Sequence, residues 1–522
     1  SQLLKELTMG IIIRQSIKGT IVNYIGVVIG AFTTFVVLTD LLKPEEIGLT
    51  RVLIDAGMLL SGLAQLGTGS SIIRFFPYFN DQKKYHNGFF FWTLLIPIIG
   101  FVVFLFLFLL LKEPICSFFG DKSPLFNQYY LLLIPLSFFM LYMTVFEINA
   151  NVLMRIVVPK LVREVIVRIL TLGAYLLYGY HILSFDQFIF AFCAVYGVAA
   201  IINIVYLFTL KNISLKPKMQ FITPALRKEF FFYSLFIITT TLVSAITPSL
   251  NTFFISAKMG LLYTGVFAIA NYIAAFIEIP YRSLGSITQP QISQSVKDND
   301  YATTNYLCQS VALHQLIAGS FIILAIWINI DLIFSIMPNG EAYRSGKYVV
   351  LILGFTRLFN ATYSIGTTVL GFSRIYYYSL IFTFILTVSA VLFNILLIPA
   401  FGMEGAAYAS LFSTLIYTIL LLTLIKWKLK TTPFHQKQLF VILIVVGLYL
   451  ISLLWDHSLS PLFQNIEMKP IYSQILNGIL KTGILISIGV YITIKCKISP
   501  EMNKILHTIY QDKKVFKKRR LK

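Results

Sequence analysis

Charged side chains occur in this chain where they are costly. Between Ile17 and Cys496 the sequence is a succession of apolar runs of about twenty residues, the length a helix needs to cross a bilayer. Within or at the edges of those runs stand Arg51 and Asp55, Arg163, Glu164 and Arg168, Glu278 and Arg282, and Arg357. Ionisable groups at such depth mark ligand or ion pathways by default, because desolvation penalises any charge without a purpose or a partner. The i, i+4 spacing puts Arg51 beside Asp55, Glu164 beside Arg168 and Glu278 beside Arg282, each pair on one helix face. Each pair reads in two ways: as a self-satisfied ion pair, or as a cation for an anionic ligand beside a carboxylate that couples to protons or sodium. Asp55, Glu164 and Glu278 are the coupling candidates. Arg163 reads as a snorkelling residue. Arg357, with Asn360 one turn later, has no carboxylate within a turn, so it is expected to face water, an anion or a distant carboxylate such as Glu147. Arg14 and Lys18 precede the first run by a turn and read equally as cations at a cytoplasmic mouth or as topological anchors.

Neutral polar residues also recur at depth. Asn203 and Asn394 suit helix-to-helix hydrogen bonds, whereas Asn23, Gln65, Asn251 and Asn271 are cavity candidates. The tyrosines and phenylalanines are too numerous to single out a stacking site.

These residues must be held by a helical membrane scaffold. The 522 residues are 57% hydrophobic and 12% charged, with a mean hydropathy of +0.80, which excludes a soluble domain. The runs are continuously apolar, which excludes a strand-built barrel. The expected fold is an all-α integral membrane protein of about fourteen helices, at roughly 17–38, 49–73, 88–111, 126–150, 159–181, 185–210, 229–256, 262–286, 305–329, 346–371, 375–398, 404–426, 438–455 and 472–495. The net charge of +20 is a matter of topology and does not point to nucleic acid, since Lys and Arg collect in alternate short loops and place both termini in the cytoplasm. Cys116, Cys193, Cys308 and Cys496 have neither paired spacing nor histidine partners, and no nucleotide-binding loop occurs, so no metal, cofactor or enzymatic activity is expected.

A weak internal repeat organises the helices. TTFVVLTDLLKPEEIGLTRVLIDAG from Thr33 corresponds to NTFFISAKMGLLYTGVFAIANYIAA from Asn251, with Gly48 and Gly265 separated by 217 positions. Six helices per half imply a pseudo-twofold axis along the membrane normal. The expected organisation is an N-terminal six-helix bundle (1–210), a cytoplasmic linker (211–228), a C-terminal six-helix bundle (229–430), two additional transmembrane helices (431–496) and a basic cytoplasmic tail (497–522). Symmetry would bring the first, second, seventh and eighth helices to the centre.

RQSIKGTIVNYIGVVIGAFTTFVVLTDLLKPEEIGLTRVL, GLAQLGTGSSIIRFFPYF from Gly62 and FFYSLFIITTTLVSAITPSLNTFFISAKMG resemble the polysaccharide-biosynthesis, O-antigen-type flippase branch of the multidrug/oligosaccharidyl-lipid/polysaccharide exporter superfamily, over nearly the whole chain. The resemblance implies two six-helix bundles with two extra helices in the bacterial inner membrane. It also implies a substrate with an isoprenoid tail, a diphosphate and a glycan head, moved to the periplasmic leaflet by alternating access for polysaccharide or lipopolysaccharide assembly. Arg14, Lys18, Arg51, Arg168, Arg282 and Arg357, with Asn23, Gln65, Asn251 and Asn271, would then meet the substrate. Membrane lipids and other polysaccharide-assembly proteins would be partners. The rivals are a cation-coupled multidrug antiporter of the same superfamily, disfavoured because cations outnumber carboxylates at depth, a membrane polymerase or ligase, disfavoured by short outer loops, and a non-transporting scaffold.

Overall fold

The computed structural model describes residues 21–79, 81–153, 155–210, 213–218, 223–464 and 470–499, and among them every regular element is helical. The long helices are α1 (Ile21–Leu41), α2 (Pro44–Phe79), α3 (Tyr85–Leu110), α4 (Pro124–Val152), α5 (157–179), α6 (Phe185–Thr209) and α7 (224–258). They continue as α8 (261–297), α9 (Tyr301–Ile328), α10 (Gly340–Phe372), α11 (378–401), α12 (403–429), α13 (Lys437–Ser458) and α14 (Pro470–Lys495). Among the described residues, eleven helical segments are long and apolar enough to cross a membrane, with α11 and α12 counted as one. The chain is a multi-pass membrane protein.

Local chemistry sets the helix ends. Pro44 opens α2 where its missing N–H costs nothing, and the Glu46 carboxylate accepts the Lys43 amide at 2.9 Å. Ser184 and Gln187 form a capping box on α6, Thr223 caps α7 ahead of Pro224, and the Asp300 side chain caps α9. Gly402 separates α11 from α12 with φ 58° and ψ −133°, a conformation that L side chains avoid. Two helices carry π-helical turns, Thr33–Leu38 in α1 and Val162–Ile166 in α5, each of which rotates the residues beyond it relative to a regular helix. The sequence suggests an unbroken second span, but α2 is interrupted. Leu66 and Gly67 take φ of 49° and 73°, and the Thr68 hydroxyl donates to the Gln65 carbonyl at 2.6 Å to restart the helix.

Packing divides the described residues into two units: those up to 269 with 398–402, and 270–397 with those from 403 on. In the first, α4 packs on α6 and on α2, and α7 lies along α2. Ile72, Phe75, Phe76 and Phe79 of α2 bury against Phe89 and Phe90 of α3. Within this unit α2 and the start of α8 cross through glycine. A Cβ on Gly48 would lie 2.0 Å from the Leu261 carbonyl oxygen, and one on Gly265 would lie 1.9 Å from that of Pro44. The two glycines that the repeat pairs thus meet each other, which a two-fold relation between their segments would bring about, and α8 starts its course packed on α2. In the second unit α9 is central. Its Leu313, Leu316, Ile317, Phe321 and Leu324 bury against Leu358 of α10, Val441 and Leu448 of α13 and Leu485 of α14.

Candidate functional site

In the first unit the described arginines at depth, Arg51, Arg163 and Arg168, are each in an ion pair. Arg51 forks onto Asp55, with Nη2 3.0 Å from Oδ1 and Nε donating to Oδ2 at 3.1 Å. Thr252 of α7 hydrogen-bonds the same carboxylate, so the pair joins two helices. On α5, Arg168 Nη2 lies 2.9 Å from Glu164 Oε2 while Nη1 donates to the Gly26 carbonyl of α1 at 2.7 Å. The close approach needs the G-x-x-x-G spacing of Gly26 and Gly30: a Cβ on Gly26 would fall 2.5 Å from the Glu164 carbonyl oxygen, and one on Gly30 2.0 Å from Arg168 Nη1. Asn23 precedes Gly26 by one turn on that stripe. Arg163 turns the other way, with Nη2 2.7 Å from Glu147 Oε2 on α4 and donating to Thr144 Oγ1 at 3.1 Å. Its partners thus lie on a neighbouring helix.

In the second unit Arg357 of α10 is satisfied from α8. Its Nη1 donates to Glu278 Oε1 at 2.9 Å and its Nη2 to Asn271 Oδ1 at 2.9 Å. Asn271 and Glu278 are seven residues apart, two turns on one face, which suits a planar fork. One expectation is corrected here: the carboxylate serving Arg357 is Glu278, whereas Glu147 serves Arg163.

All four described arginines at depth are paired, so the surplus of cations inferred from the sequence is not a surplus of free charge. A second asymmetry replaces it. The Arg51 side chain is 23% exposed against 5% for Asp55, and Arg357 is 32% exposed against 13% for Glu278. The other two pairs show the same order. In each pair the carboxylate side chain is therefore the more buried partner.

Arg14 and Lys18 lie outside the described residues, as does the Arg282 side chain. The structure unites Asn271, Glu278 and Arg357, and separately Arg51 with Asp55 and Glu164 with Arg168. Asn23, Gln65 and Asn251 are half-buried, with Gln65 at the α2 break. Asn203 donates from α6 to the Met143 carbonyl of α4 at 3.4 Å, and Asn394 to the Ala390 carbonyl of its own helix at 2.8 Å. Sequence reasoning missed Lys481, which is buried in α14 and held by Asp456 at 2.9 Å and by the Ile328 carbonyl at 3.1 Å. A lysine inside an apolar run opposite an acidic helix end was the available signal.

Long helices, paired intramembrane charges and a glycine-mediated helix crossing define a polytopic membrane protein with the fold of the multidrug/oligosaccharidyl-lipid/polysaccharide exporter superfamily. The family described as Polysaccharide biosynthesis protein matches residues 16–296, and the chain belongs to it. Among solved structures, the chain resembles the lipid II flippase MurJ in an inward closed conformation, with a TM-score of 0.70 and 16% identity over 90% of this chain and 98% of that one. It also resembles an inward-facing multidrug resistance MATE family transporter of the MOP superfamily, with a TM-score of 0.62 and 15% identity over 77% of this chain and 94% of that one. A MOP superfamily transporter from Pyrococcus furiosus follows at a TM-score of 0.52 and 14% identity, over 81% and 96% respectively. At these identities the likeness is one of fold. No curated protein matches the sequence.

Proposed function

We propose that this protein is a flippase that moves an isoprenoid-diphosphate-linked oligosaccharide from the cytoplasmic to the periplasmic leaflet by alternating access, supplying polysaccharide or lipopolysaccharide assembly. The observation that carries this reading is that each of these arginines, set in a long apolar helix, is held by a carboxylate more buried than itself. A diphosphate crossing the bilayer needs cations along its way, and arginine offers a planar fork of donors that stays charged at any physiological pH. The buried carboxylate behind each arginine keeps the empty site neutral and holds the fork in place. An arriving diphosphate then competes for donors already oriented. Net export requires an energy source, and Asp55, Glu164 and Glu278 are the carboxylates through which a proton or sodium gradient would act. Family membership supports the glycan, and the MurJ-like fold supports a lipid-linked cargo.

The test is reconstitution into vesicles with a fluorescent lipid-linked oligosaccharide, scoring its accessibility to a quencher confined to one leaflet. The wild type should exchange the label between leaflets, and Arg51→Gln and Arg357→Gln should each slow exchange at least tenfold, the effect of about 1.4 kcal/mol and within the range of one charge-assisted hydrogen bond. Absence of exchange by the wild type under every ion gradient and membrane potential sinks the proposal. Export of a cationic dye without glycolipid exchange would favour the antiporter instead.

A further inference from the structure

We propose that the first unit contains a separate binding site for an anionic membrane lipid, with a hydrocarbon chain in an aromatic cavity between α2, α3 and α7 and the headgroup on Arg227. The cavity measures about 460 Å³, within the range of small-molecule sites. Its walls are apolar: Phe75 and Phe79 from α2, Phe89 and Trp92 from α3, and Phe230 from α7, with Arg227 as the single charged group among its lining residues. The phenyl rings are packed on one another, Phe75 against Phe230 at 5.3 Å and Phe79 against Phe89 at 5.0 Å between centroids, so the walls are ordered. Beside the cavity Arg74 bridges α2 to α7, 3.0 Å from Glu229 and stacked 4.3 Å from the centre of the Tyr233 ring. That clamp fixes the spacing of the two helices and with it the opening.

Two observations specify the occupant. Trp92 lines the cavity, and its buried indole N–H has no hydrogen-bond partner among the described residues. A buried donor left unmatched is costly, so the ligand should carry an acceptor at that level. The neighbouring hydroxyls donate elsewhere, Thr93 to Asn149 Oδ1 at 2.9 Å and Thr68 to the Gln65 carbonyl at 2.6 Å, and neither forms a hydrogen bond with the indole. A bare hydrocarbon would leave the indole unmatched, and a free polar anion would leave the aromatic walls facing charge. An anionic lipid satisfies both, with an ester oxygen for Trp92 and a phosphate for the exposed Arg227. The cavity runs along α3 from Phe89 to Ile96, about 10 Å at helical rise, enough for the upper part of one acyl chain. The segment carrying Lys216 and Lys218 closes over the same end, where a Cβ on Gly88 would lie 2.7 Å from the Lys216 carbonyl oxygen, and adds positive potential there. None of the four arginine pairs lines this cavity, so the site stands independently of the proposed transport.

The test uses the full chain with Trp92 as its one tryptophan, through Trp327→Phe, Trp427→Phe and Trp455→Phe, in nanodiscs of neutral phosphatidylcholine. Lipid brominated on its acyl chains is added as phosphatidylglycerol or as phosphatidylcholine, and Trp92 fluorescence is followed. Phosphatidylglycerol should quench at about a fivefold lower mole fraction, the preference that one interfacial cation supports. Arg227→Gln should abolish that preference, and Arg227→Lys should keep it. Equal quenching by the two lipids, or a preference that survives Arg227→Gln, overturns the proposal. Strong quenching by aqueous iodide would likewise overturn it, since the cavity would then be filled by water.

Discussion

Arg357 receives its carboxylate and its amide from one face of one helix, so its removal takes a cation away from a largely buried Glu278. Arg357→Gln should lower stability by about 2 kcal/mol, the range for a hydrogen bond to a charged group. Adding Glu278→Gln should recover much of that loss, because the stranded charge is gone. Thermal unfolding in micelles measures both; strictly additive losses would show that the two side chains do not interact. At this scale the sequence revealed the anomaly and hid its resolution. An arginine inside an apolar run is conspicuous, but Glu278 lies 79 positions away and meets it only because α8 packs against α10. The i, i+4 pairs were legible since helix geometry alone creates them, as with Glu164 and Arg168. Glu147 could not be assigned to Arg163 for the opposite reason: it stands on α4, and only the packing of α5 against α4 brings the two together.

Helices here are joined at places where a side chain is missing. Gly48 and Gly62 both lie in α2, yet they should respond to substitution in opposite directions. Gly48→Ala drives a methyl group into the Leu261 carbonyl, a backbone atom that cannot swing aside, and should cost about 1–3 kcal/mol through overpacking. A methyl on Gly62 meets nothing nearer than 3.7 Å, so Gly62→Ala should be neutral or stabilise by up to about 1 kcal/mol through helix propensity. Unfolding midpoints of the two single variants settle the contrast, and a tolerated Gly48→Ala would refute the tight crossing. The repeat made Gly48 and Gly265 legible as equivalent positions. Their meeting was not legible, nor was the break at 65–67, because Gln65, Leu66 and Gly67 carry no breaker strong enough to interrupt an apolar run on paper.

Hydropathy and loop charge carry most of the whole-molecule picture, since the bilayer imposes helix length and the insertion machinery imposes the side on which Lys and Arg remain. That logic predicts a labelling pattern. With Cys116, Cys193, Cys308 and Cys496 replaced by serine, cysteines introduced at Ser214 and Asn299 should react with an impermeant maleimide only after cells are permeabilised. Cysteines at Asp121 and Glu341 should react in intact cells. The reverse pattern would invert the topology. Packing boundaries escape such reasoning: the division at Ile269 falls inside α8, where neither composition nor charge changes. α8 is pinned to α2 at Gly265 by backbone against backbone, with no side chain to compress. A contact of that kind has no rotamer to yield, so the start of α8 cannot draw closer to α2 without displacing main chain.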